Sequence, residues 1–152
     1  MDTELQTIIN NAIAQEELAH EFYLRMADLV SHAETKETFQ YLAKEELGHK
    51  AFLQSCFTAE GCKLMSHPQN VHLAEHLKAP EFTSELAPKE ALVIAMKLEE
   101  GSYKFYQGLA GLQPPGEIRD FLEKMARVEL EHKEKVEYLY NNVAFPEAWH
   151  EE

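Results

Sequence analysis

The sequence has little of what interrupts or staples a chain. Only six glycines and six prolines occur in 152 residues, while Glu, Leu, Ala and Lys are abundant, a balance that favours helix over sheet. Cysteine is scarcer still. Cys56 and Cys62 are the only two, and their CxxxxxC spacing fits no common zinc or disulfide framework, so a reducing cytoplasm is the default expectation. Positive charge is outnumbered, with 14 Lys and Arg against 27 Asp and Glu and a formal net charge of −13. Such a chain repels the phosphates of nucleic acid and of anionic lipid, which removes both as partners. Long apolar runs are missing too. The longest, Ala91 to Met96, is far too short to span a bilayer, and the N-terminus lacks the basic segment and apolar stretch of a signal peptide. What is left is an ordinary globular composition, 45% hydrophobic and 27% charged, at a length that suits one domain with a full core.

Four stretches carry apolar residues at alternating intervals of four and three, the seam of a helical bundle. Thr3-x-x-Gln6 reads as a capping box opening the first, whose seam is Leu5, Ile9, Ala12, Ala19, Met26 and Val30. After a break near Ser31–Glu34 the second carries Phe39, Leu42, Leu53 and Cys56. Pro88 suits the first position of the third helix, with Leu92, Ala95 and Leu109 on its seam, and Pro114-Pro115-Gly116 stops it. The fourth carries Ile118, Leu122, Met125, Val136 and Leu139 and ends before Pro146. The expected helices are 3–31, 34–58, 88–111 and 116–143, with a crossover over 59–87 that contains Pro68 and Pro80 and a helical turn or two within 71–78. Two short turns make two antiparallel hairpins, and the crossover is long enough to run the length of the bundle. The tail over 146–152 is too short for a further core helix.

The two hairpins are copies. Shifted by 83 residues, AxxxEExxxxFYxxxAxL at Ala12–Leu29 falls on the same pattern at Ala95–Leu112, and AxxELxHK at Ala43–Lys50 falls on Ala126–Lys133. The seams are not apolar throughout. The first passes through Glu16 and Tyr23, the second through Glu46 and His49, the third through Glu99, Ser102 and Tyr106, and the fourth through Glu129 and His132. Folding each hairpin at its turn brings Glu16 level with Glu46 and Glu99 level with Glu129. Four carboxylates and two imidazoles therefore meet inside one bundle.

Unpaired, that cluster would be prohibitive, because desolvation and mutual repulsion would force protons onto the carboxylates or unfold the chain. Two divalent cations balance four negative charges, and an ExxH pair lets its Glu bridge both ions while its His binds one. Mixed carboxylate and imidazole donors suit iron or manganese better than calcium or magnesium. A lone ExxH on a helix is usually a surface accident. Two of them, each on a seam, each thirty residues after a seam Glu and duplicated at one offset, are not. Glu17 and Glu100 repeat but sit one step off the seam, as solvated residues do. Glu45 and Glu131 have Val128 and Gly48 as repeat partners, which excludes them as ligands. His20 stands beside the seam where the second copy has Tyr103, so packing suits it better than ligation, and His72 and His76 have no carboxylate companions. Tyr23 and Tyr106 can be core aromatics or can reach the site by hydrogen bond.

With these motifs the chain resembles the ferritin-like superfamily, most closely its rubrerythrin-like branch, over residues 5–57 and 88–140. The resemblance implies two iron ions, with manganese or zinc as substitutes. It makes Glu16, Glu99, His49 and His132 terminal ligands and Glu46 and Glu129 bridges, and it places Tyr23 and Tyr106 just outside them. It further implies a cytoplasmic homodimer that reduces H₂O₂ or O₂ with electrons from a donor such as rubredoxin. That donor is expected to be a separate protein, because no pair of CxxC motifs is present. Ser102 stands where rubrerythrins carry a further Glu tied to the peroxidase cycle, and Leu47 stands where bacterioferritin has its haem-binding Met. The alternatives are ferroxidation with iron storage, against which the missing fifth helix argues, and a metal-binding domain without catalysis.

Overall fold

The structure is a computed structural model, and it describes residues 1–58, 60–65, 73, 75–77 and 87–142. Four helices account for most of them: α1 (Thr3–Leu29), α2 (Ala33–Ser55), α3 (Pro88–Gly111) and α4 (Glu117–Asn142). The expected cap of α1 is corrected. Asp2, not Thr3, is the capping residue, its carboxylate accepting from Leu5 N at 2.8 Å, while Thr3 is already helical and Gln6 reaches back to Met1 O. Pro88 occupies the first turn of α3, where its missing N–H has no helical partner to lose. Three residues join α1 to α2, and Lys36 Nζ donates to Ala27 O at 2.9 Å, satisfying a carbonyl that the end of α1 leaves open.

The side chains of the seams fill two apolar clusters stacked along the bundle. One gathers Leu5, Ile9 and Ala12 of α1, Leu53 of α2, Phe105 and Leu109 of α3, and Leu122 and Met125 of α4. The other gathers Phe22 and Met26, Phe39 and Leu42, Leu92 and Ala95, and Val136 and Leu139. The start of α1 thus shares an end with the start of α4 and with the ends of α2 and α3. Each hairpin is antiparallel, and the crossover has to travel from one end of the bundle to the other. Ile118 departs from the seam as read, being only partly buried against the first cluster.

The described parts of the crossover show how it is held. Cys56 and Cys62, whose spacing fits no common disulfide framework, form a disulfide. The turn after α2 brings them together, and it is so tight that a Cβ at Gly61 would lie 1.8 Å from Ser55 O. Buried Gln113 then clamps the chain, its Oε1 accepting from Met65 N at 2.7 Å and its Nε2 donating to Met65 O at 3.3 Å. Farther on, Leu73 lies against Gly108, and the backbone of half-buried His76 lies against Gly101, so these described residues of the crossover lie along α3. Pro68, His72, Pro80 and the tail over 146–152 fall outside the described residues.

Candidate metal centre

Between the two apolar clusters lies a polar layer, one or two side chains from each helix. Glu16 comes from α1, Glu46 and His49 from α2, Glu99 from α3, Glu129 and His132 from α4, and all six are buried. Glu129 is wholly inaccessible and His132 is 1% exposed. The donor atoms fall into two overlapping groups, Glu16, Glu46, His49 and Glu129, and Glu46, Glu99, Glu129 and His132. Within each group one donor atom per residue lies within 4.8 Å of all the others. Glu46 and Glu129 belong to both.

Both imidazoles aim Nδ1 inward. His49 Nδ1 lies 2.5 Å from Glu129 Oε1 and 3.8 Å from Glu16 Oε1. His132 Nδ1 lies 2.7 Å from Glu46 Oε1 and 3.6 Å from Glu99 Oε2. Each ExxH thus points its imidazole at the carboxylate of the opposite hairpin's ExxH, and the two rings stack with centroids 6.1 Å apart. The tyrosines also cross between hairpins. Tyr23 OH donates to Glu99 Oε1, and Tyr106 OH donates to Glu16 Oε1, both at 2.7 Å. Of the two options the sequence left for them, both hold at once: each is buried among apolar side chains and each orients a cluster carboxylate.

Electrostatics makes the layer unfavourable on its own. Burial, then the Glu46 carboxyl, pushes Glu16 well above the ordinary carboxylate range; burial and Glu99 do the same to Glu46; burial and Glu46 do so to Glu129. Burial also raises Glu99, but the nearness of Glu129 and His132 and the hydrogen bond from Tyr23 outweigh it and hold that carboxyl below its usual value. Burial, then His132, lowers His49 to about 4. Tyr23 and Tyr106 are raised by burial and by the carboxylates beside them, so their phenols stay protonated. Glu16 Oε2, Glu46 Oε1, Glu99 Oε2, Glu129 Oε2 and both ring nitrogens of His132 are buried with no hydrogen-bond partner. Buried polar atoms without partners are rare in proteins, and this concentration of them fits a group of cations that the oxygen and nitrogen donors would surround.

Residues judged peripheral lie outside the layer. Glu17 pairs with Lys50 at 3.4 Å, and Glu100 with Lys104 at 3.2 Å. Ser102 is half-buried, one turn from Glu99. His20 Nδ1 donates to Ala43 O at 2.7 Å, a hydrogen bond that ties α1 to α2. Tyr41 was missed by sequence reasoning. It stands off the seam, yet its ring meets His132 edge-on with centroids 6.3 Å apart, and its hydroxyl donates to Glu45 Oε1 at 2.6 Å. That hydrogen bond, with burial, raises the phenol to about 12.

A four-helix bundle with a buried layer of carboxylates and imidazoles is the architecture of a ferritin-like metal-binding protein. A sequence profile of the rubrerythrin family matches residues 7–140, and the chain belongs to that family. Two solved structures share the fold. A hypothetical protein from Pyrococcus furiosus has 24% identity and a TM-score of 0.70, covering 93% of this chain and 91% of that one. A protein from Thermotoga maritima, assigned to the ferritin-like diiron-carboxylate class, has 22% identity and a TM-score of 0.65, covering 90% and 93%. No curated protein matches the sequence. Among the described residues, no helix is long and apolar enough to cross a membrane.

Proposed function

We propose that Glu16, Glu46, His49, Glu99, Glu129 and His132 hold two metal ions, iron in preference to manganese or zinc, and that the protein is a di-iron oxidoreductase. It would reduce hydrogen peroxide, or dioxygen, with electrons from a separate donor. The observation that carries this reading is the pair of overlapping donor groups. Glu46 and Glu129 would bridge, Glu16 and His49 would serve one ion, and Glu99 and His132 the other. Four carboxylates would then neutralise two divalent ions in a low-dielectric layer.

Two adjacent redox-active ions supply two electrons together, the number hydrogen peroxide takes up when it becomes two waters. The chain's own residues do the rest. Tyr23 and Tyr106 fix the orientation of Glu99 and Glu16 and keep a proton on each phenol oxygen beside the site. With an apolar cluster on either side of the layer, small uncharged oxidants would enter more readily than charged ones. Ser102 supplies no carboxylate next to Glu99, so cycling is expected to be slower than with a Glu there.

A rubredoxin-type donor, a homodimer and a cytoplasmic setting complete the proposal. A reducing cytoplasm would hold Cys56 and Cys62 as the dithiol, so alkylation in freshly lysed cells reads the compartment. The decisive experiment mixes anaerobically reduced, iron-loaded protein with H₂O₂ or with O₂. Faster oxidation by H₂O₂ supports the reading. Oxidation of added Fe²⁺ by O₂, with a large iron load retained in a multimeric cage, would replace it with iron storage.

A further inference from the structure

One surface side chain reaches into the metal layer. Tyr41 is 45% exposed on α2, yet its ring makes an edge-on contact with His132, which is almost wholly buried. On its outer side Lys135 of α4 places Nζ 5.5 Å from the Tyr41 ring centroid. Its hydroxyl has a base in place, since it already donates to Glu45 Oε1. Tyr106 makes the matching contact with His49, but it is buried, and its proton is directed at Glu16 inside the cluster. Tyr23 is likewise buried and directed at Glu99. Oxidation of either would strand a radical next to the metals, and its proton would fall on a ligand. Tyr41 instead joins a cluster imidazole to solvent, with its proton acceptor outside the cluster.

We propose that Tyr41 is a one-electron relay between the metal cluster and solvent, protecting the site when oxidant arrives and the donor does not. The inference rests on the two-metal reading above. Hydrogen peroxide needs two electrons and two protons to become two waters. A cluster with one reducing equivalent left supplies one electron, Tyr41 supplies the other through His132, and the two protons come from solvent. Tyr41 loses one electron and passes its phenolic proton to Glu45, leaving a neutral tyrosyl radical at the surface. A soluble one-electron reductant of the thiol or ascorbate class returns the electron, and the proton returns from Glu45. Electron tunnelling weakens steeply with distance, so a ring in contact with the buried imidazole is the effective place for such a relay.

The test uses full-length protein loaded with ferrous iron, poised at one reducing equivalent per cluster, mixed with H₂O₂ without donor and frozen for electron paramagnetic resonance. Wild type is expected to give an organic radical whose lines narrow when tyrosine is ring-deuterated. Tyr41→Phe is expected to lose that signal with its iron content unchanged, and Glu45→Gln to lower its yield. A signal undiminished in Tyr41→Phe but lost in Tyr23→Phe or Tyr106→Phe would overturn the relay, as would fully loaded wild type with no radical. Iron content, measured in the same samples, separates the two readings. Too little iron would overturn the di-iron proposal and the relay with it, whereas full loading without a Tyr41 radical overturns the relay alone.

Discussion

Glu46 Oε1 and His132 Nδ1 lie 2.7 Å apart in the core, a hydrogen-bonding distance, without the alignment of a hydrogen bond. Two donor atoms that converge on a shared space instead of on each other are arranged as ligands of a third partner. At this scale the bridging assignment can be tested one side chain at a time. Glu46→Ala and Glu129→Ala should each reduce metal content from two ions per chain to none, because each carboxylate belongs to both donor groups. Glu16→Ala and Glu99→Ala remove a donor from one group only, and should leave one ion more tightly held than the other. Glu17→Ala should leave metal content unchanged, since that carboxylate pairs with Lys50 at the surface. Elemental analysis after gel filtration checks all five variants, and two ions retained by Glu46→Ala would sink the bridging role.

At the scale of the element, the glycines report how closely the crossover lies on α3. A Cβ at Gly101 would come within 2.2 Å of His76 O, whereas a Cβ at Gly48, exposed on α2, would meet nothing within 4 Å. Gly101→Ala should therefore destabilise the protein by about 1–3 kcal/mol through overpacking, and Gly48→Ala should stabilise it by about 0.5–1 kcal/mol through helix propensity. Urea unfolding of the two variants measures both, and a stabilising Gly101→Ala would mean that the crossover does not rest there. These contacts were not legible in the sequence, because nothing in residues 59–87 has the period that reveals a packed face. The helices were legible, because Leu5, Leu42, Leu92 and Leu122 recur with the bundle's rhythm and are fully buried. So was the meeting of Glu16, Glu46, Glu99 and Glu129 in one buried layer, because they interrupt apolar seams at repeating positions. Three things lay beyond that rhythm. The cap at Asp2 depends on one local hydrogen bond, the Cys56–Cys62 bond on a turn closed by Gly61, and the place of Tyr41 on how α2 docks against α4. Its repeat partner is Lys124, so the internal symmetry carried no hint of it.

For the whole molecule, the metal layer sets the dependence of stability on pH. In the metal-free protein Glu16, Glu46 and Glu129 have folded-state values raised above the unfolded 4.5. Each stabilises the fold while protonated, and that contribution is lost as pH rises through its folded value. Glu99 acts in the opposite sense, being depressed, so its contribution is lost as pH falls through its folded value. His49 also opposes, since the unfolded imidazole takes its proton near 6.5 and the folded one only near 4. Above the unfolded 4.5 the three raised carboxyls act together, with His49 opposing them only up to about 6.5, so the metal-free protein should weaken as pH rises from there. Metal acts the other way, because it requires the deprotonated carboxylates and so binds less well in acid. At about pH 8, metal at a hundred times its dissociation constant should stabilise the fold by about 2.7 kcal/mol per site. For a chain of this size that corresponds to a rise in Tm of about 5–11 °C for the first site alone. The gap between loaded and metal-free protein should shrink steadily towards about pH 5. Calorimetry of both forms across that range measures it. A gap that is absent near neutrality, or that widens in acid, would mean that the buried carboxylates are not the groups that hold the metal.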